Sequence, residues 1–162
     1  QETEPIYTKI SDFNEGFNRL RVSDYLHDGI DIFATGNMVY EAVKLADDCG
    51  VGCVDVYRFP VDGARLWKVL EEQRVIITLE EHFLPGGLGS AVAEVMVDAE
   101  SERILRLYRV GFSEEEIYSY LYGGRELIRS EGYGMGVERV KNIIQKEYHP
   151  GDGTIFTTPN ER

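Results

Sequence analysis

Short apolar runs alternate with helically spaced apolar residues along most of this chain. Four runs rich in β-branched and aromatic residues are typical of strands: residues 31–35, 51–59, 75–79 and 104–110. Five segments with apolar residues three and four positions apart are typical of helices: residues 39–46, 66–70, 91–96, 113–121 and 137–148. Strands that alternate with helices require crossover connections. The pattern therefore predicts an α/β fold with a mostly parallel sheet covered by helices on both faces.

Capping and helix-breaking residues set the predicted bounds of these elements. Asn37 is in place to cap the first helix, and Gly50 is in place to end it. Ser90 is expected to cap the third helix, and Ser113, which three glutamates follow, is expected to cap the fourth. The chain divides into a mostly irregular lead-in at 1–20 with at most one short strand, a folded domain at 21–149 and a loose tail at 150–162.

The chain is acidic, with 17 Lys and Arg against 29 Asp and Glu and a net charge of −12 over 162 residues. Such a surface repels polyanions, so we expect no binding to nucleic acid or to an anionic membrane. The longest apolar run, at 75–79, is too short to cross a bilayer. The first residues show no basic start followed by an apolar stretch, so we expect no secretory signal. Because the chain lacks a starting Met, we expect it to be cut from a longer product or to have lost its start.

The cysteines and histidines are too few and too scattered for a structural zinc site. Cys49 is expected to end a helix and Cys53 to start the next strand, which predicts two buried thiols. Reduced thiols of this kind are typical of a cytoplasmic protein.

A glycine-rich stretch lies between the third predicted strand and the helix after it. Gly86, Gly87, Gly89 and Ser90 could present free backbone N–H groups to a phosphate or another anion. The stretch is neither a dinucleotide fingerprint nor a P-loop, because position 92 is valine and no lysine follows. Nearby glutamates would also oppose an anion. The simpler interpretation, which we favour, is that the glycines permit a tight turn and close packing of helix on sheet.

Glu80, Glu81 and His82 follow the third predicted strand, at the sheet edge where ligands of open α/β folds usually bind. A carboxylate beside an imidazole could act as an acid–base pair. Adjacent strand residues point to opposite faces, however, so Glu81 and His82 need not meet. We therefore expect a hydrogen-bonding or interface element rather than a catalytic one.

Tyrosines are concentrated in the last third of the chain. Such side chains are common at protein interfaces and equally common at the edges of cores. The group consists of Tyr108, Tyr118, Tyr120, Tyr122 and Tyr133.

Three separated segments resemble the transketolase C-terminal domain family. Ile30–Val39 is similar to the opening strand and helix of that family, and residues 75–95 are similar to its most specific segment. Tyr133–Met135 is similar to its closing pattern. The three segments agree in order and spacing, and the resemblance covers roughly residues 21–148. Residues 112–124 depart from the family by being more acidic and richer in tyrosine.

The resemblance implies a three-layer α/β/α sandwich of about five strands that supports a dimer. The family includes transketolase, deoxyxylulose-phosphate synthase and the β subunits of 2-oxoacid dehydrogenases, which use thiamine diphosphate and a divalent metal such as Mg²⁺. In these enzymes the pyrophosphate and pyrimidine domains hold the cofactor, and this chain has no room for either domain. It also lacks their Gly-Asp-Gly to Asn-Asn metal motif. The resemblance thus implies that this chain binds no cofactor itself.

The leading hypothesis is an assembly domain of a thiamine-diphosphate-dependent enzyme, not catalytic alone, that forms a homodimer and meets the pyrophosphate and pyrimidine domains. The resemblance implies that Glu81, His82, Gly86, Gly87 and Gly89 lie near the inter-domain surface. One alternative is a regulatory module that holds an anion or nucleotide at residues 86–90. Another is an independent enzyme that uses Glu81 and His82. The parent substrate cannot be chosen from these residues.

Overall fold

The computed structural model of the chain describes residues 5–7, 9, 13, 15–24, 27–112 and 137–148. Several predictions lie outside these described residues: the helix that starts at Ser113, four of the tyrosines (Tyr118, Tyr120, Tyr122 and Tyr133), the closing segment Tyr133–Met135 and the tail at 150–162.

A mostly parallel sheet forms the middle layer, which confirms the predicted fold class. The described part contains five strands: β1 (Phe17–Arg21), β2 (Ile30–Ala34), β3 (Gly52–Val56), β4 (Val75–Phe83) and β5 (Arg106–Phe112). Their order is β1-β3-β2-β4-β5, and β1 runs antiparallel to β3 while the other neighbours are parallel. Every residue of β2 and β3 is buried, because helices cover both faces of the sheet.

Helices form the two outer layers of the sandwich. The described helices are α1 (Met38–Cys49), α2 (Gly63–Leu70), α3 (Leu88–Asp98) and α4 (Val137–Glu147). Apolar side chains of α1 and α4 pack on one face of the sheet, around Ile32 and Ile77. Those of α2 and α3 pack on the other face, around Phe33 and Ile76. Odd and even residues of the same strands thus supply two separate cores, as the period of two in a strand requires.

Two strands differ in length from their predictions. The strand predicted at 51–59 ends at Val56. The strand predicted at 75–79 continues to Phe83, because β5 pairs with it again beyond a shift in register after Leu79. Glu80, Glu81 and His82 therefore lie inside β4 and not after it.

The helix ends confirm one of the capping predictions and correct another. Gly50 ends α1 in the left-handed conformation with φ 71°, as predicted. Asn37 occupies the capping position of α1, but its side chain makes no capping hydrogen bond. The expectation that Ser90 caps α3 is wrong, since this helix already begins at Leu88. The reason is that a side chain of β4 accepts the hydrogen bonds of the first N–H groups of α3 and so caps this helix.

The last helix is fastened to the start of β5 by a buried carboxylate. Glu147 is 1% exposed. It accepts hydrogen bonds from the Tyr108 hydroxyl at 2.5 Å and from Arg106 Nη1 at 2.7 Å. Arg74 Nη1 also donates to the Glu147 carbonyl at 3.0 Å. Burial raises the pKa of Glu147, but the hydrogen bonds from Tyr108 and Arg106 outweigh it, so the pKa is lowered overall.

Both cysteines are free, and the prediction of two buried thiols holds for Cys53 but only in part for Cys49. Cys49 is the last residue of α1 and is half-buried, whereas Cys53 is fully buried in β3. Burial raises the pKa of the Cys53 thiol to about 12. At neutral pH this thiol stays protonated, and a protonated, buried thiol is not a nucleophile.

Candidate functional site

The strand order creates a topological switch point between the carboxyl ends of β2 and β4. After β2 the chain passes through α1 on one face, and after β4 it passes through α3 on the other face. The crevice between such diverging connections is the usual ligand site of open α/β sheets. Here it is bridged by a hydrogen bond of 3.2 Å from Asn37 Nδ2 to Glu81 Oε2.

The glycine loop beside this crevice is closed by a carboxylate of the chain itself. The side chain of Glu80 is fully buried under the start of α3. Its Oε2 accepts a hydrogen bond of 2.6 Å from the Leu88 N–H, and its Oε1 accepts one of 2.9 Å from the Gly89 N–H. Glu80 therefore caps α3 from the neighbouring strand and places negative charge at the positive end of the helix dipole.

The other side of the loop is held by Arg109 and Ser90. Arg109 Nη2, which comes from β5, donates to the Leu84 carbonyl and to Ser90 Oγ at 3.0 Å. Ser90 Oγ donates to the same carbonyl at 2.9 Å and accepts from the Gly86 N–H at 3.0 Å. The loop is thus tied both to β4, through Glu80, and to β5, through Arg109.

Two of the loop glycines have separate physical roles. Gly87 lies directly against Glu80, so a Cβ at this position would overlap the Glu80 carboxylate and come within 2.7 Å of the Phe83 carbonyl. Gly86 has φ +76° but open space around its Cα. Gly87 is therefore required for close approach and Gly86 for backbone conformation, which agrees with the favoured interpretation of the loop.

The predicted site residues are only partly brought together. Gly86, Gly87, Gly89 and Ser90 form one loop and first helical turn. Glu81 and His82 bond in different directions: Glu81 accepts from Asn37, while His82 Nδ1 lies 3.3 Å from the Phe83 carbonyl. Within the described ranges, no group of three or more His, Cys, Asp or Glu residues could hold a metal ion.

Glu80 and Arg109 are the residues whose role sequence reasoning missed. The sequence predicts a hydrogen-bonding or interface element at Glu80, Glu81 and His82, but it does not indicate that Glu80 caps α3. Glu80 stands on the same side of β4 as Ile76 and Thr78, which are buried beneath α3. A charged residue that continues the inward-facing alternation of a central strand indicates an internal partner. Arg109 gives the same signal in β5, on the same face as the partly buried Leu107 and the buried Gly111.

A cavity of about 330 Å³ lies farther along the same edge of the sheet, beside the carboxyl end of β3. Its two arginines already have partners: Arg65 pairs with Asp62 at 3.4 Å, and Arg58 Nη2 donates to the Phe13 carbonyl at 3.1 Å. The cavity therefore has balanced charge and no cation directed at a ligand.

An aromatic patch, formed by Phe83 and Phe112, lies at the outer end of this edge. Phe83 is 47% exposed, and its ring centroid is 6.5 Å from that of Phe112. The two residues are paired in the sheet, and the Leu84 N–H donates to the Phe112 carbonyl at 3.1 Å. We call this pair the carboxyl-edge patch.

Within the described residues no helix is both long enough and apolar enough to cross a membrane.

Comparison with known proteins gives consistent matches over this fold. Residues 24–123 match the family described as transketolase, C-terminal domain. The 1-deoxy-D-xylulose-5-phosphate synthase of Desulforudis audaxviator is 33% identical over 129 residues, which are 74% of this chain and 19% of that protein. The synthase of the same name from Clostridium tetani is 31% identical over 123 residues, 72% of this chain and 19% of that protein.

A solved structure also matches. It is titled "Split gene transketolase, inactive beta4 tetramer" and aligns with a TM-score of 0.67 and 26% identity, over 88% of this chain and 44% of that chain. The present chain therefore spans about a fifth of the length of the curated relatives that it matches.

Proposed function

This chain belongs to the transketolase C-terminal domain family, and we propose on that basis that it is an assembly domain of a thiamine-diphosphate-dependent enzyme. In this proposal it self-associates, supports the enzyme's quaternary structure and has no catalytic activity alone. The parent is a transferase of the transketolase or deoxyxylulose-phosphate synthase type, or a 2-oxoacid dehydrogenase. The proposed compartment is the cytoplasm, which the two free thiols support.

The observation that carries this proposal is the self-capped loop. The Leu88 and Gly89 N–H groups, which could bind a diphosphate at the start of α3, are both bonded to Glu80. An incoming anion would have to displace a fully buried carboxylate and face its charge. The loop therefore acts as a rigid part of the sheet edge, which suits a surface that packs against other protein.

The described residues do not fit the cofactor of the proposed parent. They provide no cluster of carboxylates for Mg²⁺, and the Leu88 and Gly89 N–H groups that could hold a diphosphate are bonded to Glu80. This supports the proposal that thiamine diphosphate and its metal are bound by the pyrophosphate and pyrimidine domains, outside this chain. The chain's small share of its relatives' length agrees with that division.

Self-association is supported by the solved neighbour, whose title describes a tetramer that is inactive. The alternative of an anion or nucleotide module has less support, because Glu80 occupies the donors that the alternative requires. The alternative of an independent enzyme has less support because Glu81 and His82 bond to different partners.

The proposal is tested by titrating thiamine diphosphate with Mg²⁺ into the full chain in a calorimeter. We expect no binding heat at cofactor concentrations up to the millimolar range, because the described residues supply neither part of the cofactor site. A matched titration with inorganic phosphate tests the anion alternative at residues 86–90. Tight binding of the cofactor would overturn the proposed division of labour, whereas binding of phosphate alone would favour the regulatory module.

A further inference from the structure

We infer that the start of α3 is a binding site for a small carboxylate, and that Glu80 fills this site as a ligand built into the chain. A free carboxylate of the size of acetate should take the same place when the Glu80 carboxylate is removed. This site is separate from the proposed assembly function and needs no second copy of the chain.

The contact between Glu80 and α3 has the geometry of a bound ligand. The Leu88 N–H donates to Oε2 at 2.6 Å and the Gly89 N–H donates to Oε1 at 2.9 Å, so each carboxylate oxygen has its own backbone donor. Two adjacent donors at the positive end of a helix dipole fit a planar, negatively charged acceptor. The recognised group is therefore a carboxylate, and nothing in these two contacts requires that it belong to the chain.

Two further groups that can donate lie beneath the same helical turn without a partner among the described residues. Thr78 is fully buried, and its Oγ1 has no hydrogen-bond partner within the described part. Arg109 Nε is buried and lacks a described partner as well. A Cβ at Gly89 would come within 2.8 Å of Thr78 Oγ1 and 2.7 Å of Arg109 Nε, so both atoms lie directly against the first turn of α3. The turn is thus surrounded by more donors than Glu80 satisfies, which is expected of a site for an acceptor-only group.

The charge at this turn also favours an anion. The guanidinium of Arg109 is bonded to two neutral acceptors, the Leu84 carbonyl and Ser90 Oγ. Its positive charge therefore adds to that of the helix start. When the Glu80 carboxylate is removed, both positive contributions remain and the two backbone donors lose their acceptor. A free carboxylate would neutralise this charge and accept both hydrogen bonds.

The volume that Glu80 occupies sets the size of the ligand. Glu80 and Leu88 are buried, and Gly87 lies directly against the Glu80 carboxylate, so the site is closely packed. Replacement of Glu80 by alanine deletes the terminal methylene and the carboxylate, which together have the heavy atoms of acetate. Acetate therefore fits the space that is left, whereas the larger, tetrahedral phosphate would overlap its neighbours.

The test is urea unfolding of Glu80→Ala in the full chain, in sodium acetate and in sodium chloride of the same concentration at neutral pH. Acetate at about 0.2 M should lower the unfolding equilibrium constant at least about threefold relative to chloride, because a ligand that binds only the folded state stabilises it. Glu80→Gln is the matched control, because its amide still fills the site and should exclude acetate. Wild type and Glu81→Ala measure the general effect of acetate on the folded chain, and all three controls should change by less than about 1.5-fold.

Hydrogen exchange locates the bound acetate. In Glu80→Ala the amides of Leu88 and Gly89 should exchange faster than in wild type, and acetate, but neither chloride nor phosphate, should slow them again. If Glu80→Ala is unfolded in chloride, recovery of its far-ultraviolet circular dichroism in acetate replaces the unfolding measurement. The site would be overturned by acetate that acts equally on Glu80→Ala and Glu80→Gln, that leaves the two amides unprotected, or that neither stabilises nor refolds Glu80→Ala.

Discussion

Replacing Glu80 by alanine tests whether α3 is capped from the neighbouring strand. The substitution removes both acceptors of the Leu88 and Gly89 N–H groups, which lie at 2.6 and 2.9 Å from the carboxylate oxygens. Both donors are buried, so water cannot readily replace the lost acceptor. Each hydrogen bond to a charged group contributes about 1.5–3 kcal/mol.

The expected loss of unfolding free energy is about 3–5 kcal/mol. Two such bonds give up to ~6 kcal/mol, and the sum is reduced because the alanine variant no longer has to bury the charged carboxylate on folding. A domain of ordinary stability has only about 5–15 kcal/mol in total. Glu80→Ala should therefore lower the melting temperature by roughly 10 °C or more.

The assay is urea unfolding of the full chain, followed by far-ultraviolet circular dichroism. Glu80→Gln keeps the shape and one acceptor oxygen, so it should lose about 1–3 kcal/mol and stay measurable if the alanine variant does not fold. Glu81→Ala is the matched control: the adjacent, partly exposed glutamate should cost less than about 1 kcal/mol. A loss below about 1 kcal/mol for Glu80→Ala would refute the capping role.

Two further predictions concern the loop and the last helix. Gly87→Ala should destabilise the chain by more than about 2 kcal/mol, because the added Cβ overlaps the Glu80 carboxylate. Gly86→Ala should cost about 1 kcal/mol, because only backbone strain opposes it. Equal losses of unfolding free energy for the two variants in thermal unfolding would contradict these separate roles. Glu147→Gln should cost about 1–3 kcal/mol at neutral pH. Because the pKa of Glu147 is lowered on folding, this contribution is present above its ordinary value of 4.5 and is lost as the pH falls through the folded pKa. The difference between wild type and Glu147→Gln should therefore shrink on acidification, and a difference that stays constant from pH 7 to pH 3 would contradict this account.

The sequence predicted the architecture because the hydrophobic pattern carries it. Helical and strand periods alternate without interruption from residue 31 to residue 110, and a parallel, doubly covered sheet is the arrangement that such an order allows. The order of the strands could not be predicted, since it depends on which strand each crossover packs beside. The predicted carboxyl ends of β3 at residue 59 and of β4 at residue 79 were wrong, because pairing with a neighbouring strand, and not local composition, decides where a strand ends.

The candidate site was less predictable than the fold. Ser90 fits the sequence pattern of a helix cap, but Glu80 has a charged acceptor with longer reach and takes that role eight residues upstream of Leu88. Local patterns do not contain such contacts between elements. The role of Arg109 was missed for the same reason: Arg109 lies in β5, whereas its partners Leu84 and Ser90 lie after β4. The assignment of residues 86–90 to an interface stays a prediction.

The position of α4 has a consequence for how the chain is made. Val140 and Ile144 complete the same core as Ile30, and Glu147 is bonded to a residue 73 positions earlier. A ribosome releases the sheet first, so the part of this apolar face that α1 does not cover lacks the apolar side chains of α4 until that helix has emerged. Nascent chains of this protein should therefore be clients of chaperones up to that moment, and a translational pause before residue 137 should promote aggregation.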